Sequence, residues 1–376
     1  MELELPSPPS QPVSALAFSP DDTKSEGADR LLVASWDSNV NLYNLKGAKS
    51  REDIRLLHTF KHEAPVLDVC WVGNNAAASG SVDRRVRLLD LETGTSEIIG
   101  KHDMPISRIR YSKESKLLIS GSWDRTLKIW DPTSRRLLKT LALGEKVLAM
   151  DISPPFSSSL AHLDPTPRLV VGLTSRKVTI YNLEKWANAA AKVLAGEETT
   201  EEEWEPEESR ESGLKFMFKD IRCLPDGSGF AMSSVEGRVS VDFFGRSAEI
   251  SAKTYAFKCH RQPGEEGIDT VYPINALAFH PRYGSFATLG GDAIVHIWDP
   301  VAKKRIRAYP QFPAALSAAA FSADGKWFAI ASGAEGIDDG GNGDMESATV
   351  ISGPVSVVVR RIGDEAKPKS SKAKKV

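Results

Sequence analysis

The chain has 376 residues, 26% of them charged, yet the charges nearly cancel at a net −2, a figure that by itself selects no class of partner. No apolar run approaches the ~18 residues that a membrane-spanning helix needs. The three cysteines, Cys70, Cys223 and Cys259, are too widely spaced for a zinc site, and with no sequon or signal peptide they point to a reducing interior compartment rather than a disulfide-stapled secreted fold.

In chain order, Glu2 to Leu5 alternate charged and apolar residues, Pro6 to Pro12 interrupt the pattern, and Val13 to Ser19 begin a strand. A unit then recurs: ASWDSNVNLYN (34–44), GSVDRRVRLLD (80–90), GSWDRTLKIWD (121–131), GLTSRKVTIYN (172–182), SSVEGRVSVDF (233–243) and GGDAIVHIWD (290–299). Each reads as a tight turn followed by a strand of alternating polar and apolar residues, the second half of a hairpin. The turn positions are Asp37, Asp83, Asp124, Ser175, Glu236 and Asp292, at intervals of 46, 41, 51, 61 and 56 residues. A hairpin is marginal alone, so such units must stack around shared cores. Repeats of roughly 40–45 residues ending in Trp-Asp are the mark of four-stranded blades arranged in a ring. The chain resembles the WD-repeat β-propellers, an all-β class, and seven blades are expected over residues 1–362. The short strand at Glu2–Leu5 is expected to pair with the last blade and close the circle. A ring of this size buries about three quarters of its unfolded surface and needs no metal or disulfide.

Blade one is expected from Val13 to about Phe60. Blades two and three open on near copies, Lys61-His62-Glu63-Ala64-Pro65-Val66 and Lys101-His102-Asp103-Met104-Pro105-Ile106, in which each histidine is placed to bond the turn Asp of its own blade. Blade four is broken by Pro154–Pro167. It is followed by an insertion at 187–213 whose stretch Glu197–Glu211 holds nine glutamates against one arginine. Self-repulsion makes this a solvated loop, with an acidic interaction segment as the alternative. Blades five, six and seven are expected at Leu214–Lys258, Pro273–Tyr309 and Ala315–Ile362. Blade seven lacks the turn Asp and carries a Gly/Asp-rich loop at Gly333–Gly353. Residues 363–376 read as a disordered basic tail, a solvated terminus or else a nuclear-import or nucleic-acid contact.

No GxSxG elbow, phosphate loop, GxGxxG or HExxH is present, so an enzyme is not expected and function is sought on the loop faces. The turns between second and third strands open on one face. Trp36 and Trp123 stand at two of these turn tips and read as exposed anchors, whereas Trp130 and Trp298 end strands and read as buried. Arg84, Arg125, Arg176 and Arg238 follow the turn positions, which makes this face basic, suited to an acidic or phosphorylated peptide.

GLKFMFKDIR (213–222), SSVEGRVSVDF, YAFKCHR (255–261), YPINALAFHP (272–281), IWDPVAKKR (297–305) and the DEAKPKS ending resemble the Bub-three/Rae-one family of propellers. That resemblance implies a spindle-checkpoint adaptor in the nucleus and, in mitosis, at kinetochores. It implies one face that holds a short helical motif of the Bub-one kinase and its checkpoint relatives. The same face takes Met-Glu-Leu-Thr repeats of a kinetochore scaffold once the threonine is phosphorylated. By motif, Arg238 and Lys258 correspond to the phosphate-gripping pair, while Trp36, Trp123, Lys219, Glu236, Arg261 and Arg125 correspond to the partner-motif surface. The family usually has Arg at the position of Lys219, which keeps the charge but loses the fork. No cofactor, metal, membrane or direct nucleic-acid contact is implied, and the propeller is expected to be monomeric. Two other readings stay open: a messenger-RNA export propeller that binds a nucleoporin motif, and a substrate receptor of a ubiquitin ligase.

Overall fold

A computed structural model describes residues 1–20, 29–153, 166–245, 247–264, 267–333 and 353–368. Seven four-stranded antiparallel sheets form the blades of a β-propeller. Blade one shows the pattern: Val13–Phe18 lies innermost, followed outward by Arg30–Ser35, Asn39–Asn44 and Arg55–Lys61. The second and third strands of every blade but the last are joined by the turns singled out above. In all seven blades the pairing of the innermost strand with the second shifts register at its start, as at Ile106/Arg108 and Phe218/Asp220. A bulge at a fixed place raises the local twist, and its repetition lets every blade present the same face.

Blade seven is completed by the amino terminus. Glu2–Glu4 is its outer strand, with Leu3 opposite Val359 and Leu5 N–H bonded to the Val357 carbonyl at 2.8 Å. The apolar residues form clusters that lie between neighbouring blades rather than within one, including a cluster of Leu3, Leu5, Leu31 and Tyr43 with Trp327, Val357 and Val359 across the closure. The innermost strands are tied by carboxylates. Asp68 accepts from Ile109 N–H at 2.9 Å, Asp151 from Cys223 N–H at 2.8 Å and Asp220 from Leu277 N–H at 3.0 Å, each reaching the innermost strand of the next blade.

Two expectations are corrected. The insertion at 187–213 is not a loop. Leu183–Ala195 is a helix, capped by the Asn182 side chain and ended by Gly196 at φ +82°, and it buries Trp186 against Tyr181 and Trp204. Glu208–Glu211 is the outer strand of blade four, paired with Lys177–Asn182. Self-repulsion does not prevail because several of the acids are matched: Lys139 holds Glu201, Lys192 holds Glu203, Arg168 holds Glu207 and Arg176 holds Glu211. Nor is the start of the 363–376 tail free. Asp364–Ala366 forms a short 3-10 turn whose Glu365 pairs with Arg307 at 3.0 Å and whose Ala366 carbonyl accepts from the buried Ser285 hydroxyl at 2.6 Å. Residues 369–376 lie outside the described residues, as do 154–165 of the Pro/Ser break and 334–352 of the blade-seven loop.

Candidate functional site

The face is built from turns and from the segments that lead into each blade. In four blades the turn carboxylate caps its own turn: Asp37, Asp83, Asp124 and Asp292 accept from the backbone N–H two residues on, at 2.9–3.2 Å. The residue after the turn position sits in the left-handed region, with φ near +70° at Ser38, Arg84, Arg125 and Arg176.

Behind two of these turns lies a hydrogen-bonded relay. In blade three, His102 Nδ1 lies 2.8 Å from Asp124 and its Nε2 2.8 Å from the Ser120 hydroxyl, which also accepts from Trp130 Nε1 at 2.9 Å. Blade six repeats it with His260, Asp292, Thr288 and Trp298, a set that His260 in the FKCHR run had not signalled from sequence because its partners lie 28–32 residues away. A Ser-His-Asp arrangement resembles a catalytic triad, but Ser120 is 0% exposed and its hydroxyl faces Trp130, not solvent. Burial pulls the His102 pKa down despite the Asp124 charge, so the ring is neutral. The Asp124 carboxyl stays below its usual range; burial opposes this, and the bonds from Thr126, Asp103 N–H and His102 outweigh it.

The parallel expectation for His62 is corrected. Its Nδ1 faces the Phe60 carbonyl at 3.1 Å and its Nε2 the Ser79 hydroxyl at 2.8 Å, while Asp83 is taken by Arg87 at 2.5 Å. Arg87 stands where blade three has Lys128, and its fork reaches the turn carboxylate first. Burial drops the His62 pKa to about 4.

Arg238 begins the third strand of blade five and Lys258 ends the fourth, and the two are direct partners across that pair of strands, so their side chains share one face. Lys258 is exposed and Arg238 half-buried. Glu236, in the turn before Arg238, places Oε2 3.4 Å from Arg238 Nε, and its carbonyl accepts from Arg261 Nη2 at 2.9 Å. These four residues therefore form one cluster. Gly237 between them is at φ +65°, and a Cβ there would sit 2.7 Å from the Cys259 carbonyl oxygen, so the turn packs flat against the chain leading to Arg261.

Lys219 is not in that cluster. It lies on the innermost strand Phe218–Cys223, half-buried, two strands or roughly 10 Å inward, although at the same end of the blade. Its carbonyl accepts from Arg108 Nη2 at 3.3 Å. Trp36 and Trp123 share the face but sit in blades one and three, and both are half-buried rather than exposed. Their backbone N–H groups are tied to the Pro12 and Pro105 carbonyls at 3.0 Å, which anchors each turn to the segment that leads into its blade. Arg125 is exposed, whereas Arg176 is spent on Glu211 and the Leu214 carbonyl. Trp298, expected to be buried, is only partly so. Trp130 packs its ring on Gly100, but at the equivalent place before blade six stands Phe257, 4.6 Å from Trp298, and the two rings wedge open a cavity of about 320 Å³ lined also by Tyr255, Phe286 and Lys303.

The sheets, the turn carboxylates and the His-Asp-Ser-Trp relay define a WD-repeat propeller, and the family model for the WD domain, G-beta repeat, matches residues 3–44, 54–90 and 95–131. The relatives narrow this. "Mitotic checkpoint protein BUB3.1" of Arabidopsis thaliana is 37% identical over 97% of this chain and 94% of its own. "Mitotic checkpoint protein bub3" of Dictyostelium discoideum is 34% identical over 88% of each, and the "Poly(A)+ RNA export protein" of Schizosaccharomyces pombe is 30% identical over 88% of this chain and 83% of its own. The chain belongs to the WD-repeat family of these mitotic checkpoint propellers.

Proposed function

We propose that the protein is a non-enzymatic adaptor of the spindle assembly checkpoint that works in the nucleus and at kinetochores. Its turn face holds a helical motif of a checkpoint kinase and that kinase's relatives, and it reads phosphorylated Met-Glu-Leu-Thr repeats of a kinetochore scaffold through Arg238 and Lys258. The observation that carries this is the direct pairing of Arg238 with Lys258, beside Arg261, on the open end of blade five. Opposed like charges across a strand pair are unfavourable unless an anion joins them, and a phosphate supplies that anion with oxygens enough for both. The helical motif uses the wider face, with Trp36, Trp123 and Arg125 as contacts. Lys219, inward of the cluster, contacts the same peptide toward the channel.

The test is a titration of a Met-Glu-Leu-Thr peptide, with and without threonine phosphate, against wild type and Arg238→Glu at two salt concentrations. Phosphate is expected to tighten wild-type binding, and losing one charge-assisted bond of ~1.5–3 kcal/mol to weaken it by roughly 10- to 150-fold. Equal affinity for both peptides in the wild type removes the phosphate reading. The similarity to an RNA export protein favours a second reading, in which the face holds a nucleoporin motif. Recovery from mitotic extract with nucleoporins and messenger-RNA factors, and without a kinetochore scaffold, would select it.

A further inference from the structure

The turn of blade five breaks a rule that four of the other turns keep. Where Asp37, Asp83, Asp124 and Asp292 each cap the backbone N–H two residues on, blade five has Glu236, one methylene longer. Its carboxylate does not close the turn. It extends over the neighbouring guanidinium, with Oε2 3.4 Å from Arg238 Nε. The resulting contact is poorly satisfied: Glu236 Oε1, Arg238 Nε and Arg261 Nε are all buried and without a hydrogen-bond partner among the described residues. Buried polar atoms left in this state are costly, and three of them in one cluster mark a place whose bonding is completed by something else.

The geometry points to Glu236 as an internal competitor, a carboxylate that occupies Arg238 until a phosphate displaces it. This rests on the phosphopeptide reading of Arg238 and Lys258. The displacement sets a threshold. A peptide carboxylate that removes Glu236 exchanges one carboxylate for another and gains little. A phosphate brings nearly two charges and three acceptor oxygens, enough to engage Arg238, Lys258 and Arg261 together. Glu236 thereby keeps acidic but unphosphorylated sequences off the face. Gly237 lets this turn lie against the chain that carries Arg261, because a Cβ there would meet the Cys259 carbonyl oxygen at 2.7 Å.

The experiment compares wild type, Glu236→Gln and Glu236→Asp against three Met-Glu-Leu-Thr peptides carrying threonine, phosphothreonine or glutamate at the last position, read by fluorescence anisotropy. Glu236→Gln is expected to tighten the phosphothreonine and glutamate peptides alike, by up to about fivefold, and to leave the threonine peptide unchanged. The glutamate peptide then comes into the measurable range. Glu236→Asp retains a carboxylate but restores the turn cap seen in the four other blades, so it is expected to behave like Glu236→Gln. An unchanged or weaker phosphopeptide affinity in both variants overturns the inference alone and makes Glu236 a residue that orients Arg238. Equal wild-type affinity for the threonine and phosphothreonine peptides overturns the phosphate reading and this inference with it.

Discussion

The two histidines that introduce blades two and three are near copies in sequence, yet their removal is expected to cost very different amounts. His102→Ala deletes the partner of two groups at once. Asp124, whose side chain is 7% exposed, loses the 2.8 Å bond to Nδ1, and Ser120 loses the acceptor for its proton. Asp124 keeps bonds from Thr126 and from Asp103 N–H, so its charge is not stranded outright. A buried group without its partner costs ~1–3 kcal/mol, and the imidazole-sized cavity adds to it, which gives roughly 3–4 kcal/mol. His62→Ala leaves Asp83 paired with Arg87 and orphans only the Ser79 hydroxyl and the Phe60 carbonyl, so about 1–2 kcal/mol is expected. The measurement is urea unfolding of both variants beside wild type, with the midpoint read at constant slope. Losses equal within ~0.5 kcal/mol, or a larger loss at His62, would refute the claim that the relay, not the histidine, carries the stability.

Trp186→Ala in the blade-four helix is expected to cost ~3–5 kcal/mol, because the ring is fully buried between Tyr181 and Trp204; a change below ~1 kcal/mol would mean that the helix is a detachable appendage. Trp36→Ala and Trp123→Ala, from half-buried positions, are expected to weaken capture of the helical partner motif with only a small fall in Tm, and a fall like that of Trp186→Ala would assign them to the core. His280 and His296 are buried with pKa values held down to about 4, chiefly by burial. Because the unfolded value is near 6.5, their contribution to stability is complete above that pH and is lost as pH falls toward 4, by up to roughly 3 kcal/mol each. Tm measured from pH 7 to 4 is expected to fall through this window, less steeply in His280→Gln/His296→Gln; parallel profiles would show that other groups control the acid limb.

The turns and third strands were legible because they combine Gly, Asp and alternating apolar residues within one short window. Outer strands were not, since they touch the core on one side only. Glu208–Glu211 has no apolar residue at all, and it is a strand because Lys177–Asn182 offers it a ladder and Arg176 and Arg210 neutralise it. Composition made 187–213 look solvated, whereas Trp186 and Trp204, spaced 18 residues apart, meet only once the helix has formed. At the site, the EGR and FKCHR runs placed Arg238 and Lys258 in adjacent strands. The register that makes them direct partners, and the 3.4 Å approach of Glu236, depend on a turn conformation that the letters alone do not carry.

The amino-terminal strand of blade seven has a consequence for how the chain is made. Arg360 bonds Glu2 across 358 residues of sequence, and Leu3 and Leu5 enter a core shared by the first and last blades. During synthesis Glu2–Glu4 must therefore wait, unpaired, until Ser356–Arg361 has left the ribosome. Early blades add one by one to an arc, and the arc becomes a circle only when the last segment arrives. Until then two open edges remain, and the growing chain is most vulnerable to aberrant pairing just before that strand arrives. A bulky group placed next to Glu2–Glu4 would burden that final step directly.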